Sequence, residues 1–279
     1  MNTREPDPHP SVCPAAVSDG EAIPPEGRGS GSSLPKPYYQ DGAVTIYHGD
    51  CLQIMRRLNH DIDFVLSDLP YGTTRCKWDS VLNLYRFWEV LNDNRINLAV
   101  LFAQTPFDKV LGASNLEGLR YEWIWEKAQA TGHLNAQKMP MKAHENILVF
   151  YGQLPIFNPI KTQGHERKTA IRNLDRSELY GKQKPSAYDS TERYPRSVLQ
   201  FASDKQTSAL HPTQKPVALC EYLIATYSNP GATVLDCCAG SGTTGRAAKN
   251  IGRKAVLIEK EEKYCEISAL RMSQEVLAL

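Results

Sequence analysis

A glycine-rich turn close to the end of this 279-residue chain limits what it can fold into. Thr233-Val234-Leu235-Asp236 reads as a strand. Ala239-Gly240-Ser241-Gly242-Thr243-Thr244-Gly245 then turns into a helix ending near Gly252, and Lys254 to Glu259 reads as a second strand. The glycines let backbone approach a ligand, and the helix N-terminus favours negative charge. An acid closing the second strand can accept from ribose hydroxyls. Only about twenty residues follow Glu259, enough for one helix. A doubly wound α/β sheet cannot be completed from there. Its remaining strands must come from the N-terminal side, so the order is circularly permuted.

The turn alone fits a dinucleotide dehydrogenase as well as a binder of S-adenosylmethionine. The second informative stretch lies far upstream. Phe64-Val65-Leu66 reads as a short buried strand leading into Ser67-Asp68-Leu69-Pro70-Tyr71-Gly72. In a permuted sheet this strand becomes the neighbour of the one ending in Asp236, with both carboxyl ends facing one crevice. Asp68 is an acceptor-only carboxylate, Leu69 is held extended by Pro70, and Tyr71 supplies an aromatic face. Together they suit a flat molecule carrying an amino group: the carboxylate and a backbone carbonyl take two N–H donors while the ring stacks.

The remaining pattern is that of an ordinary α/β chain with two irregular parts. Residues 1–37, rich in Pro, Gly and Ser, read as a disordered leader, and residues 38–279 as the folded domain. Val44 to Tyr47 reads as a strand, with Asp50 as the N-cap of the helix after it. A helix is expected over Leu82 to Leu91 and strands over Leu98 to Phe102, Tyr121 to Trp125 and Glu145 to Tyr151. Lys127 to His144 reads as a long polar loop. A helix follows His211-Pro212-Thr213-Gln214-Lys215-Pro216 and stops at Asn229-Pro230-Gly231. A last helix from about Glu262 turns Tyr264, Ile267 and Leu270 inward. Residues 152–210 are rich in Lys and Arg, with Tyr180, Tyr188 and Tyr194 interleaved, which suits a nucleic-acid surface or a solvated insertion.

The net charge of +1 neither names nor excludes a polyanionic partner. Seven cysteines without a C-x-x-C pair suggest neither a disulfide framework nor a metal site, and no metal is expected. Cys237 and Cys238 read as small buried hydrophobes in a core strand. There is no membrane-length apolar run and no apolar signal segment, so a reducing cytoplasm is the default.

These motifs resemble the amino-group DNA methyltransferases with permuted motif order, the class called beta, of the small adenine-N6 kind in phages and bacteria. Asp68-Leu69-Pro70-Tyr71 is similar to the family's catalytic D-P-P-Y, and Asp236 to Thr244 to its cofactor motif. His211 to Pro216 is similar to the segment preceding that motif, Gly49-Asp50-Cys51-Leu52 to G-D-x-L, and Tyr264 to Arg271 to the closing helix. The resemblance covers Val44 to Arg271. It implies a Rossmann-like sheet of about seven mostly parallel strands with one antiparallel, and an inserted target-recognition region at 152–210. It also implies S-adenosylmethionine as cofactor, double-stranded DNA as partner, a homodimer as one admissible state, and no membrane. Asp68, Leu69, Pro70 and Tyr71 are the implied catalytic residues. Asp50 would lie at the cofactor adenine and Glu259 at its ribose, with Cys51 also in the cofactor site. Ala239, Gly240, Ser241, Gly242 and Thr243 would hold its methionine part, with Thr213 or Lys215 near the carboxylate, and Asp68 and Asp236 also belong to the implied cofactor site. Two positions depart from the family: Leu69 replaces a proline, and Cys237-Cys238 stand where Pro-Phe is usual. Cytosine N4, an RNA or protein amide, and an inactive DNA-binding relative are the alternatives to adenine N6.

Overall fold

The computed structural model describes residues 33–72, 82–172, 176–177, 181–182, 186–203 and 214–274, and the fold below concerns the compact unit starting at Leu34. Two strands open it, β1 (Tyr39–Gln40) and β2 (Val44–His48). Helix α1 (Cys51–Met55) and β3 (Phe64–Asp68) follow, then α2 (Leu84–Asp93), β4 (Leu98–Ala103) and α3 (Phe107–Ser114). Next come β5 (Leu119–Thr131) and β6 (Lys142–Tyr151). The insertion carries β7 (Lys168–Arg172), β8 (Arg176–Ser177), β9 (Gly181–Lys182) and β10 (Ser186–Ser190), and β11 (Val198–Phe201) ends it. The C-terminal part is α4 (Val217–Tyr227), β12 (Thr233–Asp236), α5 (Thr243–Asn250), β13 (Lys254–Glu259) and α6 (Glu262–Ser273).

One nine-stranded sheet organises the unit, in the order β1-β2-β13-β12-β3-β4-β6-β5-β11. The five strands from β2 to β4 are mutually parallel, β6 runs antiparallel between β4 and β5, and β11 lies parallel to β5. The seven inner strands match the expected sheet with its single antiparallel member. The two additions are edge pieces, β1 folding back on β2 and β11 from the end of the insertion. The permutation is visible in the register: β12 pairs with β3 through Val234 against Phe64 and Leu235 against Val65.

The central strands are apolar on both faces because helices cover both. Phe64, Val65 and Leu66 are fully buried. Each contributes about 1.5–3 kcal/mol of transfer free energy, which fixes the level at which Asp68 emerges. Packing begins before Tyr38, since Leu34 rests against the cluster under α1 and α2. No described helix is long and apolar enough to cross a membrane.

Three local expectations are corrected. The 127–144 stretch is not one long loop. Strands β5 and β6 run on past the sheet, pairing Glu126 with His144 and Thr131 with Lys142, so only 132–141 form the tip of a projecting arm. In α6 the inward residues are Cys265, Ser268 and Met272, while Leu270 is exposed. Small Ser268 lets the helix approach the glycine turn, where its hydroxyl donates to the Gly240 carbonyl at 2.9 Å. Strand β12 ends at Asp236, so Cys237 and Cys238 lie in the turn after it rather than in a strand.

Candidate active site

The carboxyl ends of β12, β13, β2 and β3 open on one cavity of about 650 Å³. The parallel pairing of β2 with β13 brings Gly49 N–H to the Glu259 carbonyl at 2.9 Å, so Asp50 and Glu259 meet across 209 residues of sequence. Asp50 caps α1 by accepting from Gln53 N–H at 3.0 Å. Cys51, Cys237 and Cys238 line the same end of the cavity.

The glycine turn is locked from beneath. Gly240 and Gly242 adopt φ of 50° and 74°, in the left-handed region that disfavours other residues. A Cβ on Gly242 would also fall 2.8 Å from the Ser268 hydroxyl. Asp236 accepts from the Ser67 hydroxyl at 2.7 Å, the Thr244 hydroxyl at 2.6 Å and Cys238 N–H at 3.1 Å. Burial nevertheless pushes its carboxyl up to about 6. Its bonds tie β3, the turn and α5 together, so Asp236 positions the site more than it faces a ligand. Arg271 donates to the Ser241 carbonyl at 3.2 Å and to the Thr243 hydroxyl at 3.1 Å, bracing the turn from α6. Glu259 accepts from Gly240 N–H at 2.7 Å and Glu261 N–H at 2.8 Å, and it lines the cavity.

Asp68 stands at the cavity floor with about a quarter of its side chain accessible. Its Oδ1 accepts from the Tyr71 hydroxyl at 2.6 Å, and its Oδ2 from the Lys215 ammonium at 2.6 Å. Burial raises its pKa, Lys215 opposes the rise, and Glu145 adds to it. The Tyr71 ring stacks on Phe107, with centroids 5.1 Å apart at 25°. Leu69 buries its side chain in the core, so what it can offer the cavity is main chain. Pro70 and Tyr71 complete the rim.

Lys215 is the main departure from expectation. It was placed near a cofactor carboxylate. Its ammonium instead lies between Asp68 and Glu145, 2.6 and 3.1 Å away. Burial works against its charge, but the two carboxylates outweigh burial and raise its pKa. Glu145, on β6, also meets Lys127 of β5 at 2.7 Å. Neither Glu145 nor Lys127 stood out in the sequence, where the first opens an apolar strand and the second a polar stretch. Thr213 lies outside the described residues.

Comparison with known proteins bears on what this arrangement is. The N6/N4 methyltransferase family, described as DNA methylase, matches residues 109–270, more than half of the chain. Similar sequences include the type II methyltransferase M.BglII of Bacillus subtilis, 24% identical over 88% of this chain and 72% of that protein. The type II methyltransferase M2.DpnII of Streptococcus pneumoniae is 23% identical, over 88% and 95%. Among solved structures, PvuII DNA methyltransferase (cytosine-N4-specific) has a TM-score of 0.61 at 17% identity, covering 88% of this chain and 92% of that one. The M1.HpyAVI–SAM complex has a TM-score of 0.55 at 22% identity, covering 83% and 100%. The fold is shared at a distance where most side chains differ.

Proposed function

This chain belongs to the N6/N4 DNA methylase family, and on that footing we propose that it transfers a methyl group from S-adenosylmethionine to the exocyclic N6 of adenine in a specific double-stranded DNA sequence. One observation carries the reading. Asp68 and Tyr71, at the end of β3, share a single cavity with the glycine turn and Glu259. A methyl donor and an amino acceptor therefore have a common place to meet.

The cavity suits the cofactor. Its volume lies within the range for nucleoside-sized ligands, with room for a flat base beside one. Gly240 lines the cavity with main chain, at a φ of 50° that disfavours any other residue. The Gln214 Nε2 is buried at the cavity wall with no hydrogen-bond partner among the described residues, a donor awaiting an acceptor. In this scheme Asp50 and Cys51 lie at the adenine, Glu259 at the ribose, and Ala239 to Thr243 at the methionine part. Gln214 takes the donor role that Lys215 cannot fill while it holds Asp68. When bound, S-adenosylmethionine supplies a methyl group on positively charged sulfur.

The chain's own residues do the rest by positioning and by excluding water. The target base leaves the duplex to reach the cavity floor. The Tyr71 hydroxyl releases Asp68 and its ring takes the face of the base. Asp68 Oδ1 and the Leu69 carbonyl accept the two amino hydrogens, which aims the nitrogen lone pair at the methyl group. No covalent enzyme intermediate is required.

DNA contact falls to the arm and the insertion. Between Glu126 and Glu145 the chain has no acidic residue, and it carries Lys127, Lys138, Lys142, His133 and His144. Leu134, at the arm tip, is 87% exposed, and Ala128 to Thr131 form part of the cavity rim. In the insertion some basic groups are engaged internally. Arg167 pairs with Asp189, Lys161 with Glu192, and Arg193 donates to the carbonyls of Glu166, Ser190 and Glu192. Target recognition by the 152–210 insertion thus rests on its other side chains, with the arm beside the flipped base. The enzyme would act on bacterial or phage DNA in the cytoplasm.

Incubation with unmethylated genomic DNA and labelled S-adenosylmethionine, followed by nucleoside analysis, tests the proposal. N6-methyladenine is the expected product. N4-methylcytosine would overturn the choice of base, and label found only in RNA or protein would overturn the DNA substrate.

A further inference from the structure

Four charges alternate in sign across the carboxyl end of the sheet: Asp68 on β3, Lys215 ahead of α4, Glu145 on β6 and Lys127 on β5. Each contact is 3.1 Å or shorter, and the side chains of Lys215, Glu145 and Lys127 are about nine-tenths buried. A buried row of this kind is costly to desolvate and is held together only by its own pairing. The Glu145 Oε2 meets the Lys215 ammonium at 3.1 Å, the longest contact of the row. The strand positions of Glu145 and Lys127 are fixed by the β5–β6 ladder, where Trp125 pairs with Glu145 and Glu126 with His144.

We infer that Glu145, acting through Lys215, is a positioning residue for the Asp68 carboxylate. The inference rests on the methyl-transfer reading above. Lys215 pins Asp68 Oδ2, leaving Oδ1 to the substrate once Tyr71 moves away. By itself the ammonium would also neutralise Asp68 and weaken it as an acceptor. Glu145 takes a share of that ammonium. The four-charge row is neutral overall, with the Asp68 carboxylate at the end that faces the amino nitrogen and the Lys127 ammonium at the far end. Positive charge develops on that nitrogen as the methyl group arrives. A carboxylate held in place with its charge undiluted, in a site that excludes water, favours that charge more than it favours the neutral bound base. The effect therefore belongs in kcat rather than in binding.

The test is methyl transfer by Glu145→Gln, Glu145→Asp, Lys215→Met and the double variant Glu145→Gln/Lys215→Met, each with saturating duplex DNA and cofactor. Glu145→Gln is expected to lower kcat about tenfold or more, with KM for cofactor and DNA within about twofold of wild type. Glu145→Asp should recover part of the loss. The double variant should fall below Lys215→Met by far less than Glu145→Gln falls below wild type, because Glu145 acts on Asp68 chiefly through that lysine. Wild-type kcat in Glu145→Gln would overturn the inference, as would a loss confined to KM or additive effects in the double variant. If Glu145→Gln does not fold, a Glu145→Asp variant that folds with unchanged kcat and KM overturns it equally. A wild type that methylates no DNA would overturn the underlying reading as well, a different result from an active wild type indifferent to position 145.

Discussion

Asp68 has both carboxylate oxygens occupied before any base arrives, one by a hydroxyl that can swing away and the other by a buried ammonium that cannot. An asparagine there would keep the size but turn one acceptor into a donor facing Lys215. Asp68→Asn is therefore expected to lower methyl transfer by about 10²–10³-fold, while calorimetric affinity for S-adenosylmethionine changes little. A variant with full transfer activity would remove Asp68 from the chemistry. The tetrapeptide containing Asp68 was readable from its residue types alone. Lys215 was readable as important but not in its role, since nothing in His211 to Pro216 says which of two anions its ammonium will meet. Glu145 was not readable, because a single acid at the start of an apolar strand looks like any edge charge. Leu69 departs from the proline of the resembling family, and its side chain is buried, so what it offers the site is main chain.

Among the elements, the arm and the β1–β2 hairpin make separable predictions. The arm departs from the sequence expectation because its polar, alternation-poor residues gain strand structure from pairing with each other, beyond the reach of local propensity. Replacing Leu134 with Ala and Lys138 with Glu is expected to weaken DNA binding about tenfold near physiological salt and to flatten its salt dependence. Cofactor affinity should be unchanged, and an unaltered DNA affinity would exclude the arm from the interface. In the β1–β2 hairpin, Asp41 accepts from the N–H groups of Ala43 and Val44 and from the Lys249 ammonium at 2.6 Å, joining the sheet edge to α5. Burial pushes its carboxyl up, but Lys249 and the two N–H groups outweigh burial and bring it down to about 2. A depressed carboxyl pKa gives stability above the unfolded value near 3.8, lost as pH falls toward 2. Asp41→Asn should cost about 1–2 kcal/mol at neutral pH. Urea unfolding should show that difference shrinking between pH 4 and 2, and a constant difference would contradict it.

Across the whole molecule, the cavity joins the two ends of the described chain. Asp50 and Asp68 come from the first strands, and Gly240 and Glu259 from the last. A ligand that touches both ends stabilises the entire sheet. S-adenosylmethionine at about a hundredfold excess over Kd should add about 2.7 kcal/mol and raise Tm in a single cooperative transition. Two transitions, only one of them shifted, would mean that the halves fold independently.

Sequence by itself determined the sheet's connectivity. The glycine turn and the Asp68 stretch each read as the end of a buried strand facing one crevice, and the register sets those two strands side by side. It also determined the buried strands, through apolar runs, and the turn's backbone, through glycines at positive φ. Only the tertiary structure decided where buried charges go. Lys215, Glu145 and Lys127 belong to three separate segments, and their pairing depends on distances of a few ångströms at the top of a packed sheet. Periodicity encodes which face of an element is dry. It carries no record of which charges, once dry, will find one another.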